Sequence, residues 1–102
     1  MNDIQSLTWC LLRVSGSDRL NYLQGQLTQD ISTGAHHRSL VLQPSGEVVS
    51  DVWVSCHEDV VDLVVPTVLV DVVLARLRRF LLRADVRFEE EGLVAPPIDS
   101  MA

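Results

Sequence analysis

Apolar and polar residues change period several times along the chain, and each change marks an element. Residues 8–14, "TWCLLRV", form a short apolar run that halts at Ser15-Gly16, the pattern of a strand and a turn. Leu20, Leu23, Leu27 and Ile31 then recur at spacings of three and four, which predicts one apolar face of a helix. Ser17 and Asp18 stand where a helix N-cap is needed, and Gly34 where the helix must stop. Gly25 interrupts this helix at the centre of "QGQ". A glycine there costs about 1 kcal/mol against alanine. Close approach of a neighbouring backbone is the expected reason for it.

Runs of strand length follow. "HHRSLVLQ", "EVVSDVWVSC" and "VVDLVV" read as three strands, separated by turns at Pro44-Ser45-Gly46 and His57-Glu58-Asp59. Such spacing predicts an antiparallel meander. In the middle strand Val48, Ser50, Val52 and Val54 share one face, and Val49, Asp51, Trp53 and Ser55 the other. Each face mixes apolar with polar residues. Pro66-Thr67 opens a second helix, with Thr67 as its cap and Asp71 in its first turn. Its expected apolar face is Leu69, Val72, Val73, Leu77, Phe80 and Leu81. "DVRFE" reads as a last strand, and Pro96-Pro97 ends regular structure. The order β-α-β-β-β-α-β predicts an α+β fold, a ferredoxin-like or split βαβ arrangement with an extra hairpin strand. The chain divides into a folded segment, 1–92, and a linker or tail, 93–102.

Composition narrows the function classes. The 102 residues suit one small domain, and 47% hydrophobic content suits a folded one. The net charge of −6 argues against a general nucleic-acid or anionic-membrane surface. All eight basic residues are arginine, and five of them, Arg76, Arg78, Arg79, Arg83 and Arg87, fall within twelve positions. They read as a solvated helix face or as a contact surface for RNA or an acidic partner. Glu89-Glu90-Glu91 follows directly and opposes the nucleic-acid version.

Few residues are arranged for chemistry. Cys10 and Cys56 lie in apolar runs without a CxxC, so they read as buried, reduced thiols. With no signal peptide and no apolar span of membrane length, a cytoplasmic setting is expected. His36, His37 and His57 have no spacing that enforces a metal site. Nucleotide-binding glycine motifs and a GxSxG are absent. Asp51 stands out as a carboxylate inside "VVSDVWV". Such a carboxylate is either exposed or aimed into a site, because a buried one needs partners. Period two puts it on the face of Trp53, whose ring could border a flat ligand.

Three segments in order, "RVSGSDRLNYLQGQLTQDI", "LVLQPSGEVVSDVWV" and "LARLRRFLLRADVRFE", resemble the N-terminal part of the YgfZ/GcvT-like folate-binding family. The Gly16-Ser17-Asp18 turn, the Leu23–Asp30 run, Gly46 and the Ser50-Asp51 pair match the family pattern over about residues 7–90. The resemblance implies tetrahydrofolate as cofactor and Asp51 as a candidate folate-site residue. It implies a role of the YgfZ branch in iron–sulfur protein maintenance and tRNA modification, with iron–sulfur proteins as partners. The related glycine-cleavage aminomethyltransferases carry two consecutive aspartates where this chain has Ser50-Asp51. The serine favours the YgfZ branch, with a fragment of an aminomethyltransferase as the alternative. The third reading is a self-contained ferredoxin-like interaction module without folate. Family members run to a few hundred residues, and the later cysteine motif of the YgfZ branch does not occur here. The chain is therefore expected to be an N-terminal segment, inactive alone, that works with the remaining domains of a longer protein.

Overall fold

In the computed structural model, which describes residues 8–27 and 36–96, the five apolar runs become one antiparallel sheet. Its strands are β1 (Trp9–Ser15), β2 (His36–Leu42), β3 (Val48–Cys56), β4 (Val61–Pro66) and β5 (Arg87–Val94), in the spatial order β2-β3-β4-β1-β5. Helix α1 (Arg19–Gln26) follows β1, and a 3-10 turn (Thr67–Leu69) leads into α2 (Val70–Arg78). β4 and β5 run parallel with β1 between them and are joined through α2, a split βαβ unit. The meander places two strands, β3 and β4, between β1 and β2. No helix among the described residues is long and apolar enough to cross a membrane.

Period two decides what is buried. Cys10, Leu12 and Val14 of β1, Val61, Leu63 and Val65 of β4, and Val52, Val54 and Cys56 of β3 all face the helices. Leu23 of α1 and Val70, Val73 and Leu77 of α2 close over them. Valine dominates the strands because its branched side chain suits a pleated surface. Each fully buried Val or Leu contributes about 1.5–3 kcal/mol, against at most about 1 kcal/mol for an exposed ion pair, so this layer outweighs the surface charges. The split of β3 into two faces is as the periodicity predicts, except that Val48, at the strand's start, is exposed.

Several expectations about the helices are corrected. α1 ends at Gln26, where Leu27 turns extended and pairs with Val41 of β2, so Leu27 leaves the helix to join the sheet. Ile31 and Gly34 lie outside the described residues. Gly25 is exposed, and a Cβ built there meets nothing within 4 Å, so close approach does not explain it. The neighbouring glutamine has the structural task. Gln26 Oε1 accepts from Arg76 Nη1 at 2.9 Å, while Arg76 Nε donates to the Leu42 carbonyl. One arginine of α2 thus holds the end of α1 and the end of β2. Tyr22 adds a second tie, its hydroxyl donating to the Leu77 carbonyl. In α2, Val70 and Leu74 turn inward while Val72 stays exposed, and Phe80, just past the end of α2, is exposed too. The 3-10 turn shifts the helix start, and with it the phase of the stripe. Thr67 gives no side-chain cap; its hydroxyl is buried without a partner among the described residues. β5 continues past "DVRFE" to Val94, with a bulge opposite Leu11/Leu12.

Asp18 occupies the N-cap position of α1 without capping it. Its Oδ2 accepts from the Asp85 amide at 2.7 Å, and its own amide donates to the Asp85 carbonyl at 3.1 Å. Asp85 Oδ2 in turn accepts from the amide and the hydroxyl of Ser17, both at 2.9 Å. Gly16 makes room for this latch. It adopts φ 112°, and a Cβ there would lie 2.1 Å from the Asp85 carbonyl oxygen. The Ser17 donors hold the Asp85 carboxyl below its ordinary range, with Arg87 helping.

Gly16→Ala should destabilise the protein by about 1–3 kcal/mol for the backbone conformation alone, with the clash at Asp85 added. Gly25→Ala should stabilise it by about 0.5–1 kcal/mol. Urea unfolding of the two variants checks the contrast, and equal midpoints would refute it. Because the folded pKa of Asp85 is depressed, its contribution is complete above the unfolded value of about 3.9 and fades as pH falls through the folded one. The stability difference between wild type and Asp85→Asn should therefore be constant above about pH 5 and shrink in acid.

Candidate functional site

One face of the sheet lies under the helices; the other carries the chemistry. Antiparallel register sets its side chains in rows. Arg38, Trp53, Val64 and Leu11 form one row across β2, β3, β4 and β1. Ser55, Asp62, Arg13 and Glu89 form the next, across β3, β4, β1 and β5. Asp51 is two residues before Trp53 on β3, so alternation brings it to the same face, as the sequence predicts.

Asp51 is half-buried, its side chain 37% exposed, and Arg38 Nη2 donates to its Oδ1 at 3.1 Å. The guanidinium of Arg38 lies 5.5 Å from the centre of the Trp53 ring. Trp9 meets Trp53 edge-on, with ring centres 5.2 Å apart and planes at 89°. The indole N–H of Trp53 is buried without a hydrogen-bond partner among the described residues. A carboxylate acceptor, an unpaired buried donor and two aromatic surfaces therefore stand together. The neighbouring Ser50 points the other way, into the core, where its hydroxyl donates to the Asp51 carbonyl at 2.6 Å. Of the Ser50-Asp51 pair, only Asp51 can serve the open face.

A second cluster escaped the sequence reading. Asp62, 14% exposed, accepts from Arg13 Nε at 2.9 Å and Nη2 at 3.2 Å, a bidentate pair. His57 Nε2 lies 3.3 Å from Oδ2, the oxygen that also takes Arg13 Nη2, so one carboxylate holds a strand arginine and a turn histidine. The hydrogen bond and charge of Asp62 stabilise the charged form of Arg13 and raise its pKa. Asp62 in "VVDLVV" breaks an apolar run as Asp51 does, and that signal could have found it.

The other sequence candidates do not converge on this face. Cys10 and Cys56 are buried and unpaired on the helix side, and desolvation pushes both thiols up, away from the reactive thiolate. Among the described residues no three His, Cys, Asp or Glu side chains group as metal ligands. The arginines of α2 are on the opposite side of the sheet.

The two charge clusters should differ in weight. Arg38→Ala removes an exposed pair and should cost less than about 1 kcal/mol. Asp62→Ala leaves a bidentate arginine and a histidine without their acceptor and should cost about 1–3 kcal/mol. Denaturant midpoints of the two variants test the order; a larger loss at Arg38 would overturn it.

Neither a protein-family model nor a curated relative matches the chain in sequence. Its fold does match a solved structure, the glycine cleavage system aminomethyltransferase T from Bartonella henselae. The TM-score is 0.73 at 16% identity over 80% of this chain, which spans 24% of that structure's length. The α+β fold of the chain is therefore that of about a quarter of an aminomethyltransferase T.

Proposed function

We propose that the open sheet face forms one wall of a folate site, in the N-terminal segment of a YgfZ-like protein. The observation that carries this reading is Asp51, set beside Trp53 and Trp9 on the uncovered face of a sheet whose fold matches part of an aminomethyltransferase. The residues suit the ligand. A pterin is flat and carries adjacent N–H donors. Asp51 is an acceptor for them, the tryptophans offer stacking area, and the Trp53 N–H is a donor in want of an acceptor. Bound tetrahydrofolate would supply one-carbon chemistry; the residues here bind and orient it. Arg38 occupies Asp51 in the free chain, so a ligand has to displace or share that guanidinium. Iron–sulfur protein maintenance and tRNA modification belong to this reading as the task of a longer protein. So does a cytoplasmic setting, in keeping with two unpaired buried thiols.

An aminomethyltransferase segment is the second reading, favoured by the fold match itself. Position 50 opposes it. A second aspartate there would be buried in an apolar layer, and this chain has a serine that satisfies itself on the backbone.

Both tryptophans of the chain lie on this face, so intrinsic fluorescence reports on it directly. Titration with a reduced folate should quench the emission saturably. Asp51→Asn should weaken binding about tenfold, the worth of one charge-assisted hydrogen bond. Equal affinity in wild type and variant would remove Asp51 from the site. Aminomethyl transfer from the glycine-cleavage carrier protein, assayed in the longer protein, separates the two readings.

A further inference from the structure

The far side of the molecule carries a different surface. Arg76, Arg78, Arg79 and Arg83 stand in or just after α2, in a window, 75–83, that contains no acidic residue. The chain has 14 carboxylates, yet among the described residues none lies within ion-pair distance of these four guanidiniums. Of the other four arginines, Arg13, Arg38 and Arg87 are each ion-paired, and Arg19 is bound to two backbone carbonyls. Three of the four lie over aromatic rings, and Arg78 Nη2 also donates to the Phe88 carbonyl at 3.3 Å. Arg76 and Arg79 lie over the Phe80 ring at 5.3 and 5.6 Å from its centre, and Arg78 lies over Phe88 at 5.8 Å. Arg76 is fixed by its bonds to Gln26 and Leu42, so Phe80 has one guanidinium pinned beside it. Phe80 is 49% exposed and Leu82 89%. The patch is thus cationic and apolar at once, on a chain that is otherwise strongly acidic.

We infer that this patch, Arg79, Phe80, Leu82 and Arg83, is a docking surface for an acidic protein segment in which carboxylates flank a large apolar side chain. Two observations choose this occupant. The unpaired guanidiniums call for carboxylates or phosphates, and Phe80 with Leu82 calls for an apolar anchor between them. A nucleic acid offers the phosphates, but its charge extends along its length, beyond the patch, and a chain of net charge −6 repels it. A short acidic peptide keeps its charge within the patch. The surface is independent of the folate reading, because it lies on the opposite side of the sheet from Asp51.

The test uses the full chain and a short fluorescent peptide with glutamates on both sides of a tryptophan, followed by anisotropy. A lysine version of the peptide and a single-stranded oligonucleotide are the comparisons. The acidic peptide should bind, more weakly as salt rises, and the lysine peptide should not. Arg79→Glu with Arg83→Glu should weaken it about tenfold or more. Phe80→Ala should weaken it too, with less change in salt dependence. Arg79→Gln and Arg83→Gln, at exposed positions, provide variants whose fold is not at risk. Absence of peptide binding, indifference of binding to the arginine changes, or tighter binding of the oligonucleotide would each overturn the inference.

Discussion

The contact of Gly16 with Asp85 is the constraint around which the molecule is arranged. β1 ends there and α1 begins, while the connection from α2 enters β5 on the other side of the same contact. Two backbone segments this close leave no room for a Cβ, and polar groups at the surface of the contact bond across it. Ser17, Asp18 and Asp85 do so reciprocally, each carboxylate accepting from the other segment. The latch ties the start of α1 to the segment that leads into β5. With β1 between β4 and β5, α1 and α2 pack on one face of the sheet, and among the described residues no helix lies on the other.

The two faces then differ in what holds them. The helix side is apolar, and the two polar residues buried there among the described ones, Ser39 and Ser50, are small. Stability resides there, in area removed from water. The open side is a lattice of charged and aromatic pairs whose individual contributions are small. Arg38 with Asp51, Arg13 with Asp62 and His57, and the edge-on tryptophans fix side-chain positions more than they stabilise the fold. Such a surface costs little to rearrange, because each pair contributes little on its own.

Much of this was legible in the chain. Period two in "VVSDVWV" assigned Asp51 and Trp53 to one face and Ser50 to the other, because a strand's pleat leaves no alternative. The element order and the turns at Pro44 and His57 led to the meander. The helix ends were not legible, for a common reason. Asp18 and Thr67 have the chemistry of caps, but Asp18 is taken by Asp85 across the fold, and Thr67 lies in a 3-10 turn that carries its hydroxyl away from α2. Gly25 looks like a packing residue by composition alone, while only coordinates reveal the open space beside it. Asp62 needed the pairing of β1 with β4 before its partner Arg13, 49 residues away, came into view.

What the amino-acid order determined by itself was local: which runs are strands, which side chains share a face, where the turns fall. Those follow from the two-residue and 3.6-residue periods, which need no knowledge of neighbours. The tertiary structure decided which strands are adjacent, which face the helices cover, and which polar groups meet. Long-range pairing sets those contacts, and a carboxylate carries no mark in sequence of the arginine it will find. Asp51 was visible as an anomaly in its own strand; that it shares the sheet face away from the helices with two tryptophans and an arginine is a property of the assembled sheet.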